Sequence, residues 1–360
     1  MRFRDCIFAI GFAGLSVASA DQYEVSLDPQ ADRAWGAPEL WTNPMEDWRL
    51  KDGMLRNTHS GGNRNVVLLN SELTADLKDF ILEADVKTLQ ADGVGFVGLQ
   101  LGLQGSFDDY RDSAIYGAGL NVGVLNRGAL FIGSPTGEAD PKVVEALKKG
   151  ASLKFSAKVK GDHYECQLDL IQGGETIASV TESVHPSWLE GLTSFVSSSQ
   201  LPPAVKLGEK AKRKKLGQKA GGEMHSALTG LRISGDKVKV RKEREFGPIF
   251  WTQHSLDSNG TFRLLVQMAP IGNGEKTVEL KAFRETYQAE IEPNSRTAIF
   301  TIKDVNTKES YPYEVTYEGK TFKGTLRAEP TEKDELVIAS LSCNDSTGFP
   351  HNQLVENVSA

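Results

Sequence analysis

Phe80-Ile-Leu-Glu-Ala-Asp-Val86 and Leu153-Lys-Phe-Ser-Ala-Lys-Val159 alternate apolar and polar residues without a break. An extended chain sends successive side chains to opposite faces, so this pattern buries one face and wets the other. Wound into a helix, it would scatter its apolar groups around the cylinder. Further strand-like runs fall at Met54–Asn57, Asn65–Leu69, Phe80–Thr88, Val94–Leu101, Asn121–Leu125, Ala129–Ile132, Leu153–Lys160, His163–Ile171, Glu175–Val184 and Leu228–Ser234. The 35 glycines supply the turns between them. Only Pro141–Gly150 and Pro186–Leu192 read as helical. So many strands within residues 21–236 predict an all-β, two-sheet jelly-roll sandwich.

Residues 237–247, Lys-Val-Lys-Val-Arg-Lys-Glu-Arg-Glu-Phe-Gly, are charged and read as a linker or an edge strand. Beyond them, 248–329 shows a second set of short strands: Ile249–Gln253, Thr261–Gln267, Thr277–Phe283, Ala298–Ile302, Tyr313–Tyr317 and Lys320–Leu326. Turns at Ser258-Asn259-Gly260, Gly272-Asn273-Gly274 and Glu318-Gly319 separate them. This predicts an immunoglobulin- or fibronectin-like β-sandwich with Trp251 and Phe262 in its core. A third piece, 335–360, opens with an apolar run that stops at Ser342-Cys343-Asn344-Asp345, as buried strands of open α/β sheets do where they present ligands.

The first twenty residues carry Arg2 and Arg4, an apolar stretch from Cys6 to Leu15, and Ala18-Ser19-Ala20 before Asp21. That is the layout of a secretory signal peptide cleaved after Ala20, too short to span a membrane, and it predicts a secreted or periplasmic protein. Cys166 and Cys343 then remain; they fall in different modules and are expected to be unpaired, with Cys166 a small buried hydrophobe. The formal net charge of −7 argues against nucleic acid as a main partner. Against that background, 201–223 concentrates Lys206, Lys210, Lys212, Arg213, Lys214, Lys215 and Lys219. The segment reads either as a solvated insertion between strands or as a patch for anionic polymers such as sulfated glycans or lipopolysaccharide.

Trp48-Arg-Leu-Lys-Asp-Gly-Met-Leu55, Leu77-Lys-Asp-Phe-Ile-Leu-Glu-Ala-Asp85 and the glycine-rich 93–102 resemble the concanavalin A-like jelly roll, in its 3-keto-disaccharide hydrolase-like branch. These motifs are structural: Trp48 and Leu55 belong in a core and Asp52-Gly53 in a turn. Two functional expectations go with the module. One is a lectin-like protein binding a polysaccharide, with Trp35, Trp41, Tyr110 and Tyr116 as residues that could stack on sugars. The other is a glycoside-acting enzyme using the nearby acids Glu83, Asp85, Asp108 and Asp109, which would require carboxylates facing each other across a cleft.

Phe246-Gly-Pro-Ile-Phe-Trp-Thr-Gln-His-Ser-Leu-Asp257, then the sandwich, then Val337-Ile-Ala-Ser-Leu-Ser-Cys-Asn-Asp345 resemble the alkaline phosphatase D-like secreted metallophosphoesterases over residues 240–360. The resemblance implies phosphoester hydrolysis in a full-length protein, with iron held by the thiolate at the Cys343 position and calcium beside it on oxygen ligands. Asn344 and Asp345 are the nearest oxygen donors, whereas His351 reads either as an exposed loop histidine or as a nitrogen ligand for phosphate or metal. The rest of the family's ligand set would follow Ala360, so a chain of these 360 residues is expected to be the start of an incomplete α/β metallophosphoesterase domain and inactive by itself. No catalytic residue is assigned.

Overall fold

The computed structural model describes residues 22–107, 109–257, 259–306, 308–329 and 334–335. The leader at 1–20 and the Cys343, Asn344, Asp345 and His351 positions lie outside the described residues. Among those described, the strands assemble into three antiparallel sheets, and no helix is long and apolar enough to cross a membrane.

The first sheet runs, in spatial order, Glu175–Val184, His163–Gln172, Ala151–Lys160, Phe80–Ala91, Met224–Ser234, Met54–Asn57, Trp48–Lys51 and Asp32–Arg33, with Gln22–Val25 also paired to Met224–Ser234. Its register follows from the alternation. Leu153, Phe155 and Ala157 stand opposite Leu170, Leu168 and Cys166 and point inward with them. The intervening lysines and acids face solvent, where Lys154 pairs with Glu83 at 3.3 Å and Arg232 with Asp85 at 2.6 Å. Gly161, at φ +68°, makes the tight reversal between two of these strands in a backbone region that glycine adopts without steric cost.

The second sheet runs Leu130–Ile132, Ala118–Leu125, Phe96–Gln104, Gly191–Ser198, Asn65–Leu73 and Val238–Val240, with Leu40–Asn43 also paired to Asn65–Leu73. Its central strands are buried on both faces, so alternation is lost: Phe96–Leu103 and Ala118–Leu125 are buried throughout. That is why Gly191–Ser198 escapes a period-two reading; the expected Pro186–Leu192 helix is a single 3-10 turn, Pro186–Leu189, because the chain enters this paired strand at Gly191. Val238–Val240 extends this sheet by pairing with Ser71–Leu73, so the segment expected as a linker contributes an edge strand.

Between the two sheets lies one apolar core. Trp48, 1 % exposed, packs edge-on to Phe195 with ring centroids 6.1 Å apart. Removing such a ring costs about 3–5 kcal/mol. Cys166 is unpaired and buried here, and burial pushes its thiol far above the ordinary range, as for a small hydrophobe.

Among the described residues, two α-helices complete this unit. Helix α1, Tyr110–Tyr116, is capped by Asp109, whose carboxylate accepts from Arg111 N at 2.7 Å. It is too short to show a helical stripe in sequence. Helix α2, Pro141–Lys149, begins at the Asp140 cap with proline in its first turn and ends at Gly150, φ +107°. It turns Val143, Ala146 and Leu147 into the core.

The third sheet runs Ile249–Leu256, Phe262–Met268, Thr297–Ile302, Glu285–Glu292, Thr277–Ala282, Tyr311–Tyr317 and Lys320–Leu326, and its last strand returns to contact its first. It encloses Phe262, Leu264, Val266, Val278, Leu280, Phe300 and Val315. Phe262 is core as expected, whereas Trp251 is 44 % exposed on the outer face. Glu285–Glu292 was not evident from the sequence because its only fully buried side chain is Ile291.

Candidate binding site on the outer face of the second sheet

The hydrogen-bond register of the second sheet lines up two cross-strand rows on the face turned away from the core. One is Trp41, Val67, Ser194, Gln100 and Asn121; the other is Asn43, Asn65, Val196, Gly98 and Gly123. A row of side-chain amides and a hydroxyl is thus set among apolar neighbours on a sheet that would otherwise be hydrophobic on both sides. Gly98 and Gly123 are adjacent here, and a Cβ on Gly98 would come within 2.7 Å of the Gly123 Cα. The floor stays flat because neither residue bears a side chain.

Two segments cover the ends of this face. Helix α1 sits at one end: Ala114 packs with Val67, Leu69, Leu103 and Leu192. Asn43 fixes it there, donating from Nδ2 to Ala114 O and to Asn65 Oδ1, both at 2.8 Å, while accepting from Trp41 Nε1 at 2.7 Å. The basic segment 201–223 covers the other end and is not a free insertion. Leu216 packs on the Phe96, Leu125, Phe131 and Val196 cluster. Arg213 is half-buried and donates to Gly102 O at 2.9 Å and to Ser187 O at 2.5 Å. Gln200 Nε2 donates to Lys219 O, and Gly62 lies so close to Gly217 that a Cβ there would overlap its carbonyl.

Between these covers remains a cavity of about 100 Å³ lined by Asn43, Asn63, Asn65, Gln100, Tyr116 and Lys215 among others. Gln100 is 2 % exposed, and its Oε1 accepts no hydrogen bond from the protein. On the same face Asn121 Oδ1 and Ser194 Oγ are likewise buried without protein partners. Buried polar atoms in native folds are ordinarily paired, and of these three residues Gln100 lines the cavity, so its unpaired oxygen marks a place able to receive a hydrogen bond from outside. Tyr116 is 50 % exposed at the wall, and the Lys215 ammonium lies over its ring, 5.5 Å from the centroid.

On the other side of α1 opens a wider cleft of about 500 Å³ that includes Glu72, Asp109, Tyr110 and Arg244. Its carboxylates are engaged by arginines, while Nη1 of Arg244 is buried without a protein partner. Glu72 meets Arg241 at 2.8 Å and Arg244 at 2.7 Å; burial raises its carboxyl, and the two guanidiniums outweigh that and hold it below the usual range. Asp109 is held low by Arg111. Arg244 stacks on Tyr110 at 4.8 Å.

The residues flagged in the sequence distribute unevenly. Tyr116 alone of the four expected sugar-stacking aromatics is presented at the cavity. Trp35 is buried beneath Arg33, Trp41 is packed against Phe246, and Tyr110 lies between Arg111 and Arg244. Among the described residues, the acids expected for glycoside chemistry share no cleft. Glu83 and Asp85 lie on the wet face of the first sheet, committed to Lys154, Arg232 and Ser152, and Asp109 caps α1 over the second sheet. Asp108 lies outside the described residues.

A Ser60, Glu223 and His225 group is also present, but its order is wrong for nucleophilic catalysis. Ser60 Oγ lies 3.3 Å from His225 Nε2, but Glu223 meets that same nitrogen at 2.7 Å as well as Ser60 Oγ at 2.9 Å, while Nδ1 faces Asn57 O at 3.2 Å, so the carboxylate does not orient the ring from behind. Among the described residues no group of three metal-ligating side chains converges, and the positions to which iron and calcium were expected to bind are not among them. Gln100 and Asn65 were not singled out in the sequence. The available signal was a lone amide in the apolar run Phe96-Val-Gly-Leu-Gln-Leu-Gly-Leu103.

No protein-family model matches the chain, and no curated protein matches it. Among solved structures, arcelin-5, a lectin-like defense protein from Phaseolus vulgaris, aligns with a TM-score of 0.34 at 8% identity over 62% of this chain and 100% of its own. The carbohydrate recognition domain of Emp47p gives 0.30 at 12% identity, over 61% and 99%. The Ca2+-bound exoplasmic/lumenal domain of VIP36 gives 0.32 at 8% identity, over 60% and 95%. At these scores and identities the similarities carry no argument about ligand or activity, which rests on the site itself.

Proposed function

We propose that this chain is a saccharide-binding protein whose site is the amide-floored cavity on the outer face of the second sheet. The observation that carries the reading is Gln100: a carbonyl oxygen almost wholly buried, unpaired within the protein and set on a cavity floor beside Asn65. Sugar hydroxyls donate and accept at once, and side-chain amides match them in both senses. The half-exposed face of Tyr116 supplies the apolar surface on which a pyranose ring can lie. Among the described residues the lining holds no carboxylate, which favours retention of a glycan over its hydrolysis. Export behind the 1–20 leader would bring the site to extracellular or periplasmic glycans.

The test is a glycan array on the purified chain, followed by calorimetry on the hits. Gln100→Leu and Tyr116→Ala are each expected to weaken binding about tenfold, the loss of roughly one hydrogen bond or stacking contact, with the melting temperature little changed. Absence of binding to any glycan at millimolar concentration would sink the reading.

A further inference from the structure

Resting on that reading, we infer that the saccharide taken by the site is acidic and that its charged group pairs with Lys215. Among the described residues, Lys215 is the only cation in the cavity lining. Among the described residues no carboxylate lies within ion-pair range of it, and its ammonium lies over the Tyr116 ring. Two other cations of the segment are engaged elsewhere: Lys206 pairs with Glu209 at 2.9 Å, and Arg213 donates to backbone carbonyls. The segment around Lys215 also carries exposed Lys210, Lys212, Lys214 and Lys219 within a chain of net charge −7. Its positive field is therefore local to this rim and opposes the molecule's overall sign. The anchors at Arg213, Leu216 and Gly217 hold the segment against the sheet and place the ammonium at the cavity mouth. A saccharide with its ring against Tyr116 and its hydroxyls on Asn65 and Gln100 would bring a carboxylate or sulfate on its outer edge to Lys215.

The experiment compares binding of the whole chain to three oligosaccharides of equal length, one neutral, one built of uronic acids and one sulfated, at low and high salt. An acidic oligosaccharide is expected to bind about tenfold more tightly than the neutral one at low ionic strength, and that margin should shrink at about 1 M salt as the ion pair is screened. Lys215→Gln is expected to abolish the margin between acidic and neutral oligosaccharides, and Lys215→Arg to retain it. The uronate and sulfate arms identify which acid the site takes. Equal binding of all three, or a margin that survives Lys215→Gln, overturns the inference and leaves the saccharide site standing. Failure of all three to bind overturns both.

Discussion

Glu39 is an acid in an unfavourable place. It is 8 % exposed, and burial raises its carboxyl above the ordinary range, with the nearby Glu245 charge adding to the shift and Lys320 and Tyr23 opposing it. The folded state therefore binds its proton more tightly than the unfolded chain does. The stability this contributes is complete below the ordinary carboxylate range and is lost as pH rises through the folded value. Glu39→Gln should accordingly raise the urea midpoint at pH 7 and leave it nearly unchanged at about pH 4, near the unfolded carboxylate value. Denaturation curves at the two pH values check this. Asn57 shows the opposite solution for a buried polar group: its amide donates to Met224 O at 2.7 Å and accepts from Ser226 N at 2.7 Å and Ser197 Oγ at 3.1 Å, so nothing is left unpaired. The contrast with Gln100 is what gives the unpaired oxygen of the latter its meaning.

At the scale of elements, the outer face of the second sheet depends on two short covers rather than on the sheet itself. The 201–223 segment has no helix or strand before Met224, and its order comes from side-chain anchors. Arg213 is the chief of these, and burial pushes its guanidinium below its usual value, a cost borne for the hydrogen bonds to Gly102 and Ser187 carbonyls. Arg213→Ala should release the segment. Hydrogen bonds from a charged donor contribute about 1.5–3 kcal/mol each, so tryptic cleavage at its lysines is expected to accelerate by about tenfold or more through local opening. Timed digestion read by mass spectrometry measures this, and saccharide affinity should fall in parallel because Lys215 loses its fixed position.

At the scale of the whole molecule, the jelly-roll unit and the third sheet meet through specific contacts. Phe246 stacks on Phe250 with centroids 4.7 Å apart and meets Trp41 edge-on, which continues the aromatic packing across the cis Gly247–Pro248 bond. Asn273 bridges the two units: its Oδ1 accepts from Asp32 N and its Nδ2 donates to Gln30 O, each at 2.7 Å. Gly272 lies against the Asp32 carbonyl with no room for a Cβ. Lys320 reaches back to Glu245 at 2.8 Å. Asn273→Ala removes both amide bonds and should destabilise the third-sheet unit by about 1–2 kcal/mol. The expected readout is faster amide exchange in Phe262–Met268 with little change in Phe80–Ala91.

The all-β character was readable from the sequence because a period of two has one geometric meaning, and the strands with one wet face, such as Ala151–Lys160 and His163–Gln172, were legible nearly end to end. Helix α2 was legible too, since Asp140-Pro141 starts a helix and Gly150 stops it by purely local chemistry. Strands wetted or buried on both faces, Glu285–Glu292 and Gly191–Ser198, left no such signal. The candidate site was legible only in fragments. Tyr116 and the basic segment stood out as residue types, while Asn65 and Gln100 looked like incidental polar residues in apolar strands. Their meeting depends on cross-strand register and on a helix and a segment folded back from elsewhere in the chain. Periodicity within one strand decides which face a residue takes; only the pairing of strands far apart in sequence decides which residues share that face.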